Sequence, residues 1–373
     1  MVNLPSHFEV LIVGGGIAGA SLGAEIADRR STLIIEAESH CGFHSTGRSA
    51  AFWLESYGGP AVTPLTRASR AFLASPPADF AERGFLRTRG ALHLAMDEQP
   101  TLPEGIDSKR VSGAELERWV PGIRPEWRFA IFETGCADID VAGLHAAYLG
   151  RFKRRGGALR TDQRLVSARN EHGVWRIALS SGETVTAERL VNAAGAWADS
   201  VAKACGVQPL DIAPMRRTMV QLRVGRSGLR HLPLIDDWAG TFYFKGEGDR
   251  SIWLSPHDEI ASEPGDAAPD EIDVATAIAR FEAVVDWPIE AVERRWAGLR
   301  SFAPDRAPIY GFDGRAPAFF WCVGQGGFGI QTAPAAAKLA AALLLRELPS
   351  HAVEHINPGP YSPGRFLAES PTG

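Results

Sequence analysis

Cysteine is scarce: four in 373 residues, at Cys41, Cys136, Cys205 and Cys322, with no CxxC pair. So few cannot brace a chain of this length, which excludes a disulfide framework, and the ligand spacing of a structural zinc site is missing. A basic excess is missing too. Lys and Arg total 39 against 44 Asp and Glu, a net charge of −5. Nothing is left over to neutralise a phosphate backbone, so nucleic acid is not an expected partner. Long apolar runs are absent. The opening MVNLPSHFEVLIVGGG has no basic stretch and no small-residue cleavage site, so no leader peptide is read there. The stretch Ala335 to Leu345 is interrupted by Lys338 and falls short of the roughly 20 apolar residues of a membrane span. A soluble, cytoplasmic protein is expected, with peripheral contact at the inner membrane left open.

What is present is ordinary globular material, 45% hydrophobic and 22% charged. The length exceeds what one core usually supports, so two domains, or a discontinuous pair, are expected. Phe8 to Val13 is a short apolar run rich in β-branched residues and reads as a buried parallel strand. A helix over 20–30 and a second strand over 31–36 complete a βαβ unit. Residues 40–60 form a Gly/Ser-rich loop, and helices are expected over 65–73, 144–155 and 270–287. Strands are expected near 165–169, 174–179, 184–191 and through 217–255. The tail repeats strand, loop and helix: Phe319 to Val323, a glycine-rich 324–329, then a helix over 335–347 opened by Thr332 and Pro334.

Gly14-x-Gly16-x-x-Gly19 sits between that first strand and helix, and Glu36 ends the second strand. In this context the glycines make a dinucleotide fingerprint. Gly14 permits a tight turn, Gly16 lets the backbone approach a pyrophosphate, and Gly19 lets the helix pack closely. Ile17 and Ala18 open the helix beside the anion. Glu36, followed by Ala37, would accept hydrogen bonds from ribose hydroxyls and disfavours a 2′-phosphate.

The fingerprint alone does not choose between NAD and FAD, and three further segments bear on that choice: Ser45-Thr46-Gly47-Arg48-Ser49-Ala50-Ala51, Val191-Asn-Ala-Ala194-Gly195-Ala-Trp197, and Gly324-Gln325-Gly326-Gly327-Phe328-Gly329-Ile330-Gln331. With the fingerprint they resemble the D-amino acid oxidase (DAO) superfamily of FAD-dependent oxidoreductases. Within it the phrases CGFHSTGRSAA, TRASRAFL, ADID, WAGLRSF and GQGGFGIQT are most similar to the bacterial FAD-dependent D-arginine and D-amino acid dehydrogenases. The resemblance implies an α/β fold of glycine oxidase and D-amino acid oxidase type. A Rossmann-like FAD-binding domain would comprise 1–84, 139–214 and 294–373, and a mixed-sheet α+β substrate domain 85–138 and 215–293. It also implies noncovalent FAD, although His44 lies beside the flavin loop. Arg48 would contact phosphate or flavin. The 324–329 loop would aim a helix N-terminus at the flavin's pyrimidine end, where reduced flavin is negative.

The same resemblance implies a substrate site of Arg217, Arg300, Tyr57, Tyr243, Phe52 and Gly327. An arginine fork suits a carboxylate, and Arg216 is an alternative to Arg217; for any one arginine taken alone, a surface salt bridge is the plainer reading. Two departures stand out. Ala91 occupies the position of a glutamate that pairs with a cationic side chain, with Glu98 or Glu82 as substitutes. Phe52, beside Trp53, replaces a pocket histidine. Both changes point to a neutral or hydrophobic side chain. The expected activity is oxidative deamination of a D-amino acid by hydride transfer from the α-carbon to flavin N5, giving a 2-oxo acid and ammonia. Oxygen, a quinone or another acceptor would reoxidise the flavin, and no metal is expected. The alternatives are oxidation of a secondary amine or 2-hydroxy acid, and a flavin-binding subunit without turnover.

Overall fold

The computed structural model describes residues 6–366. Residues 1–5, on which part of the leader reading rests, lie outside the described residues. An eight-stranded sheet forms around His7–Val13, which lies parallel to Thr32–Ile35 on one side and to Thr184–Asn192 on the other. Phe319–Val323 adds in parallel to the far half of Thr184–Asn192. The central strand is buried from Val10 to Val13, as a strand covered on both faces must be. Helices Ile17–Ile26, Val141–Arg154 and Gly329–Leu345 contribute to the core against one face. Ala198–Ala204 contributes to the other.

The second sheet has nine strands, dominated by the antiparallel pair Ala213–Val224 and Ile289–Phe302. Alternation along its strands sorts the side chains. Val220, Leu222, Ile235, Phe244 and Leu254 share one apolar core with Phe281 of helix Glu271–Glu282. The residues between them point the other way. Register aligns Arg217 with Gly298, Met215 with Arg300, Asp236 with Tyr243 and with His93, and Tyr243 with Ser255. This single face carries most of the polar groups considered below. A small sheet of Phe52–Trp53, Ala137–Ile139 and Leu86–Thr88 completes the strands described.

The helices begin where their caps are. Asp140 and Asp270 accept N–H bonds from Gly143 and Ile272, starting Val141–Arg154 and Glu271–Glu282, the latter ending well before the expected 287. The last helix starts at Gly329, not at Thr332 or Pro334. Pro334 is the sixth residue, past the first turn, so the helix forgoes the bond an N–H there would give to the Ile330 carbonyl. The expected domain boundaries at 138/139, 214/215 and 293/294 fall inside strands Ala137–Ile139, Ala213–Val224 and Ile289–Phe302. Turn chemistry marks loops, whereas each of these strands runs unbroken within a single sheet.

Candidate active site

A cavity of about 310 Å3 opens against the first glycine turn. Gly14 has a φ of +106°, and a Cβ there would lie 2.5 Å from the Ala193 carbonyl oxygen. A Cβ on Gly19 would lie 2.0 Å from the Gly14 carbonyl oxygen, so Gly19 packs helix on strand and does not line the cavity. The turn is held from three sides. Glu36 accepts the Gly15 N–H (2.8 Å) and the Glu38 N–H (3.0 Å). Thr46 Oγ1 accepts the Ile17 N–H (3.0 Å). His145 Nε2 meets the Gly15 carbonyl at 2.8 Å. Burial lowers the pKa of His145, keeping its imidazole neutral at pH 7.

Gly14, Gly16, Ile17, Ala18, Glu36, Ala37, Ser45, Thr46, Arg48, Ser49 and Ala50 all line this cavity, as do Ala194, Gly195, Gln325, Gly326, Gly329 and Ile330. Ala51 lines the neighbouring cavity instead. Gly47 and Phe328 line neither. A Cβ on Gly47 would meet the Gly42 carbonyl oxygen at 2.6 Å, and Phe328 is buried against Val62 and Phe302. Arg48, in the cavity wall, also donates to the Ala267 and Ala297 carbonyls (3.0 and 3.1 Å) and to Asp266. Sequence reasoning missed Gln163 and Trp197, which also line the cavity. His44 packs against Trp197 with its ring tilted by 51°, 4.6 Å between centroids, and its Nε2 meets Glu38 at 2.9 Å.

These residues fit FAD. The glycine turn offers N–H groups and the dipole of helix Ile17–Ile26 to a pyrophosphate. Glu36 retains acceptor capacity for a ribose. Gln163 Oε1 and His44 Nδ1 are buried atoms at the cavity without partners among the described residues. Gly326, Gly327 and the start of helix Gly329–Leu345 close the far end.

A second cavity of about 540 Å3 shares Ser49, Ala50, Tyr243, Arg300, Gly327 and Ile330 with the first. At this junction Arg300 donates to the Tyr57 hydroxyl (2.9 Å) and approaches the Tyr243 hydroxyl (3.5 Å). The Tyr243 hydroxyl contacts Met219 Sδ at 3.1 Å. Arg217 is 3% exposed. Its Nε donates to the Asp258 carbonyl (2.6 Å) and its Nη2 to Glu259 (3.1 Å), while Nη1 has no partner among the described residues. Burial and the neighbouring Arg300 both lower the Arg217 pKa. Two guanidiniums held close, one with a buried free N–H, form a receptor for an anion. Arg216 is not part of it and pairs with Asp273 at 2.7 Å. Gly327 is required by proximity: a Cβ there would lie 2.9 Å from both Arg300 Nη1 and the Tyr57 hydroxyl.

The remaining wall corrects several expectations. Phe52 lines the second cavity and meets Tyr243 edge-on at 5.9 Å. Trp53 points away, is 1% exposed, and packs in the helical core, because adjacent residues on a strand face opposite sides. Ala91 lines neither cavity and is buried with Ala50, Leu54, Cys136, Met219, Leu234 and Tyr243. Glu82 and Glu98 are exposed. The acids in this wall are Asp236 and Asp237, and Asp236 is bonded to His93 Nδ1 at 2.7 Å. His93 Nε2 lies 3.4 Å from Glu133. Burial opposes the charge on His93, but Asp236 and Glu133 carry its pKa up to about 10. His257 also lines this cavity. Burial and then Arg217 bring its pKa down to about 4. No sequence motif announced His93, Asp236 or His257; only cross-strand register and one turn bring them together.

Comparison with known proteins gives this architecture its context. A glycine oxidase of Pseudomonas aeruginosa is 25% identical over 381 residues, covering 96% of this chain and 99% of its own. The crystal structure of glycine oxidase from Geobacillus kaustophilus superposes with a TM-score of 0.80 at 20% identity, covering 97% of this chain and 100% of that one. L-proline dehydrogenase from P. horikoshii gives 0.80 at 21% identity, covering 97% and 98%. At these identities the solved structures show the shared fold. Among the described residues no helix is long and apolar enough to cross a membrane. The family model "DAO: FAD dependent oxidoreductase" matches residues 9–343, and the chain belongs to that family of FAD-dependent oxidoreductases.

Proposed function

We propose that this chain catalyses the oxidative deamination of a D-amino acid to a 2-oxo acid and ammonia. The observation that carries the reading is the buried guanidinium pair in the wall of the first cavity, of which Arg300 also faces the second. Arg300 and Arg217 Nη1 would hold the substrate carboxylate, with the Tyr57 and Tyr243 hydroxyls beside it. Bound FAD supplies the two-electron acceptor for the hydride of the α-carbon. The rings of Tyr57, Phe52 and Tyr243 limit water around that carbon, and the imino acid released from the site hydrolyses in solution. The two positive guanidiniums favour the neutral amine that the substrate must present. Noncovalent FAD rests on the resemblance of the Ser45–Ala51 segment; His44 Nε2 is engaged by Glu38. The D configuration rests on the resemblance of the Ser45–Ala51 and Gly324–Gln331 segments. The neutral-side-chain expectation keeps one of its two supports, since Phe52 lines the cavity, and loses the other, since Ala91 is outside it and Asp236 is in its wall. A side chain ending in a hydrogen-bond donor suits that wall.

The test is an anaerobic absorbance spectrum of the purified holoenzyme, before and after adding matched D- and L-amino acids with apolar and basic side chains. Bleaching of the flavin bands by D-forms is the expected result. The carboxylate clamp would also serve a secondary amine or a 2-hydroxy acid. Bleaching by sarcosine, proline or a 2-hydroxy acid, with none by primary D-amino acids, would replace the reading by that one. A flavin that none of these bleaches would indicate a non-catalytic flavoprotein. The acceptor is tested on the reduced enzyme, by adding oxygen or a quinone and following the return of the flavin bands.

A further inference from the structure

The turn after strand Ser251–Ser255 does two things at once. Asp258 and Glu259 hold Arg217 through a backbone carbonyl and a carboxylate. The residue before them, His257, turns its ring into the substrate cavity. Its backbone has a φ of +54°, a conformation an L-residue adopts only when its surroundings enforce it. Here the enforcement is visible: the His257 N–H donates to Ser255 Oγ (3.1 Å), and Nδ1 sits 2.6 Å from the Gly240 carbonyl. A carbonyl only accepts, so Nδ1 carries the proton and Nε2 keeps its lone pair. The ring lies 6.4 Å from that of Tyr57 and 5.7 Å from that of Tyr243, the two tyrosines at Arg300.

The carboxylate end of this cavity is built from donors. Arg300 offers only N–H, as does Arg217 Nη1 in the adjoining first cavity, and the Tyr57 hydroxyl, having accepted from Arg300, has its own O–H to give. The imidazole Nε2 beside them is an acceptor. An α-amino acid presents the complementary pattern: a carboxylate that only accepts, and an adjacent nitrogen that donates. We propose that His257 Nε2 accepts a hydrogen bond from the substrate's amino group and so fixes the orientation of the α-carbon relative to the carboxylate clamp. This rests on the deamination reading above. Burial and the two arginines keep the imidazole neutral, so it orients the amine as an acceptor and does not carry away its proton.

Two variants separate this role from a structural one. His257→Gly suits the left-handed backbone but removes the acceptor; His257→Asn also suits it and restores a shorter acceptor. Each holoenzyme is titrated with the amino acid that bleaches the wild type, and with benzoate, a carboxylate lacking an amine, followed by the shift it causes in the flavin bands. In His257→Gly the amino acid should bind about 10-fold or more weakly and reduce the flavin more slowly, while benzoate binding stays within about twofold of wild type. His257→Asn should recover part of the loss. Wild-type behaviour of His257→Gly toward the amino acid would overturn the inference. So would equal weakening toward both ligands, which would mean that the turn serves only to hold Arg217. If no amino acid bleaches the wild-type flavin, the deamination reading fails and takes this inference with it; the other failures leave that reading standing.

Discussion

At Gly327 a single hydrogen atom decides the geometry. The space a methyl group would need is filled by Arg300 Nη1 and the Tyr57 hydroxyl, each 2.9 Å from the ideal Cβ position. Gly327→Ala should displace Arg300 and lower kcat/KM by about 10- to 100-fold, with FAD content unchanged by absorbance. Arg300→Ala removes the group itself. A charge-assisted hydrogen bond contributes about 1.5–3 kcal/mol, so the Kd for substrate should rise about 10- to 100-fold, again with flavin retained. Unchanged flavin-reduction kinetics in Arg300→Ala would remove that residue from the site. His257 enters the pH profile by its silence. Its pKa, brought down to about 4 by burial and then Arg217, leaves it neutral above pH 5. An inflection near 6.5 in kcat/KM that disappears in His257→Asn would contradict this.

One helix and one strand pair at the site explain different kinds of outcome. The buried helix Gly329–Leu345 places Gln331 where its amide accepts the Leu54 N–H (3.2 Å) and donates to the Tyr57 carbonyl (3.3 Å) and to Thr66 Oγ1 (3.0 Å). One side chain thus fastens the loop that carries Tyr57. Gln331→Leu leaves these buried groups unpaired, at about 1–3 kcal/mol each. It should lower the midpoint of thermal unfolding and raise KM together. The strand pair Ala91–Ala95 and Leu234–Asp237 shows how one register position separates cavity from core. His93 and Asp236 reach the cavity, while Ala91, two residues earlier on the same face, is enclosed by Leu54, Cys136, Met219 and Leu234. Ala91→Glu would bury a carboxylate in that apolar cluster, a cost of several kcal/mol. It should lower thermal stability and give no gain with D-arginine or D-lysine, which a substrate panel beside a melting curve will check.

At the scale of the molecule, the site is a seam between two sheets that the sequence interleaves. His93, Asp236 and Glu133 tie three strands of the nine-stranded sheet together at that seam, and Glu133 also accepts the Glu55 N–H (3.0 Å). Asp236 and Glu133, against the opposition of burial, raise the folded-state pKa of His93 to about 10, above its unfolded value near 6.5. A raised pKa means that folding favours the protonated form. Its contribution to stability is fully present below about pH 6.5 and is lost as pH rises through 10. The wild type should therefore lose stability between these limits. His93→Gln should show a smaller loss over the same range in denaturant titrations run at each pH.

The sequence by itself determined what is local. A strand, a glycine turn and a helix in immediate succession, with Glu36 at the next strand end, specify a dinucleotide cradle, because the turn needs glycine where a Cβ would strike backbone. Most residues expected at FAD do line the first cavity for the same reason. The clamp was legible only as residue types in short segments that resemble a family. Arg217 and its neighbour Arg216 look alike in the chain, yet alternation turns Arg217 inward and Arg216 to Asp273. Tertiary structure alone decided the rest. It paired Arg48 with Asp266, hid Ala91 and Trp53, and brought His93, Asp236 and His257 to one wall. Cross-strand register and the long antiparallel pair fix those positions, and pairing between strands more than a hundred residues apart leaves no local signature in the sequence.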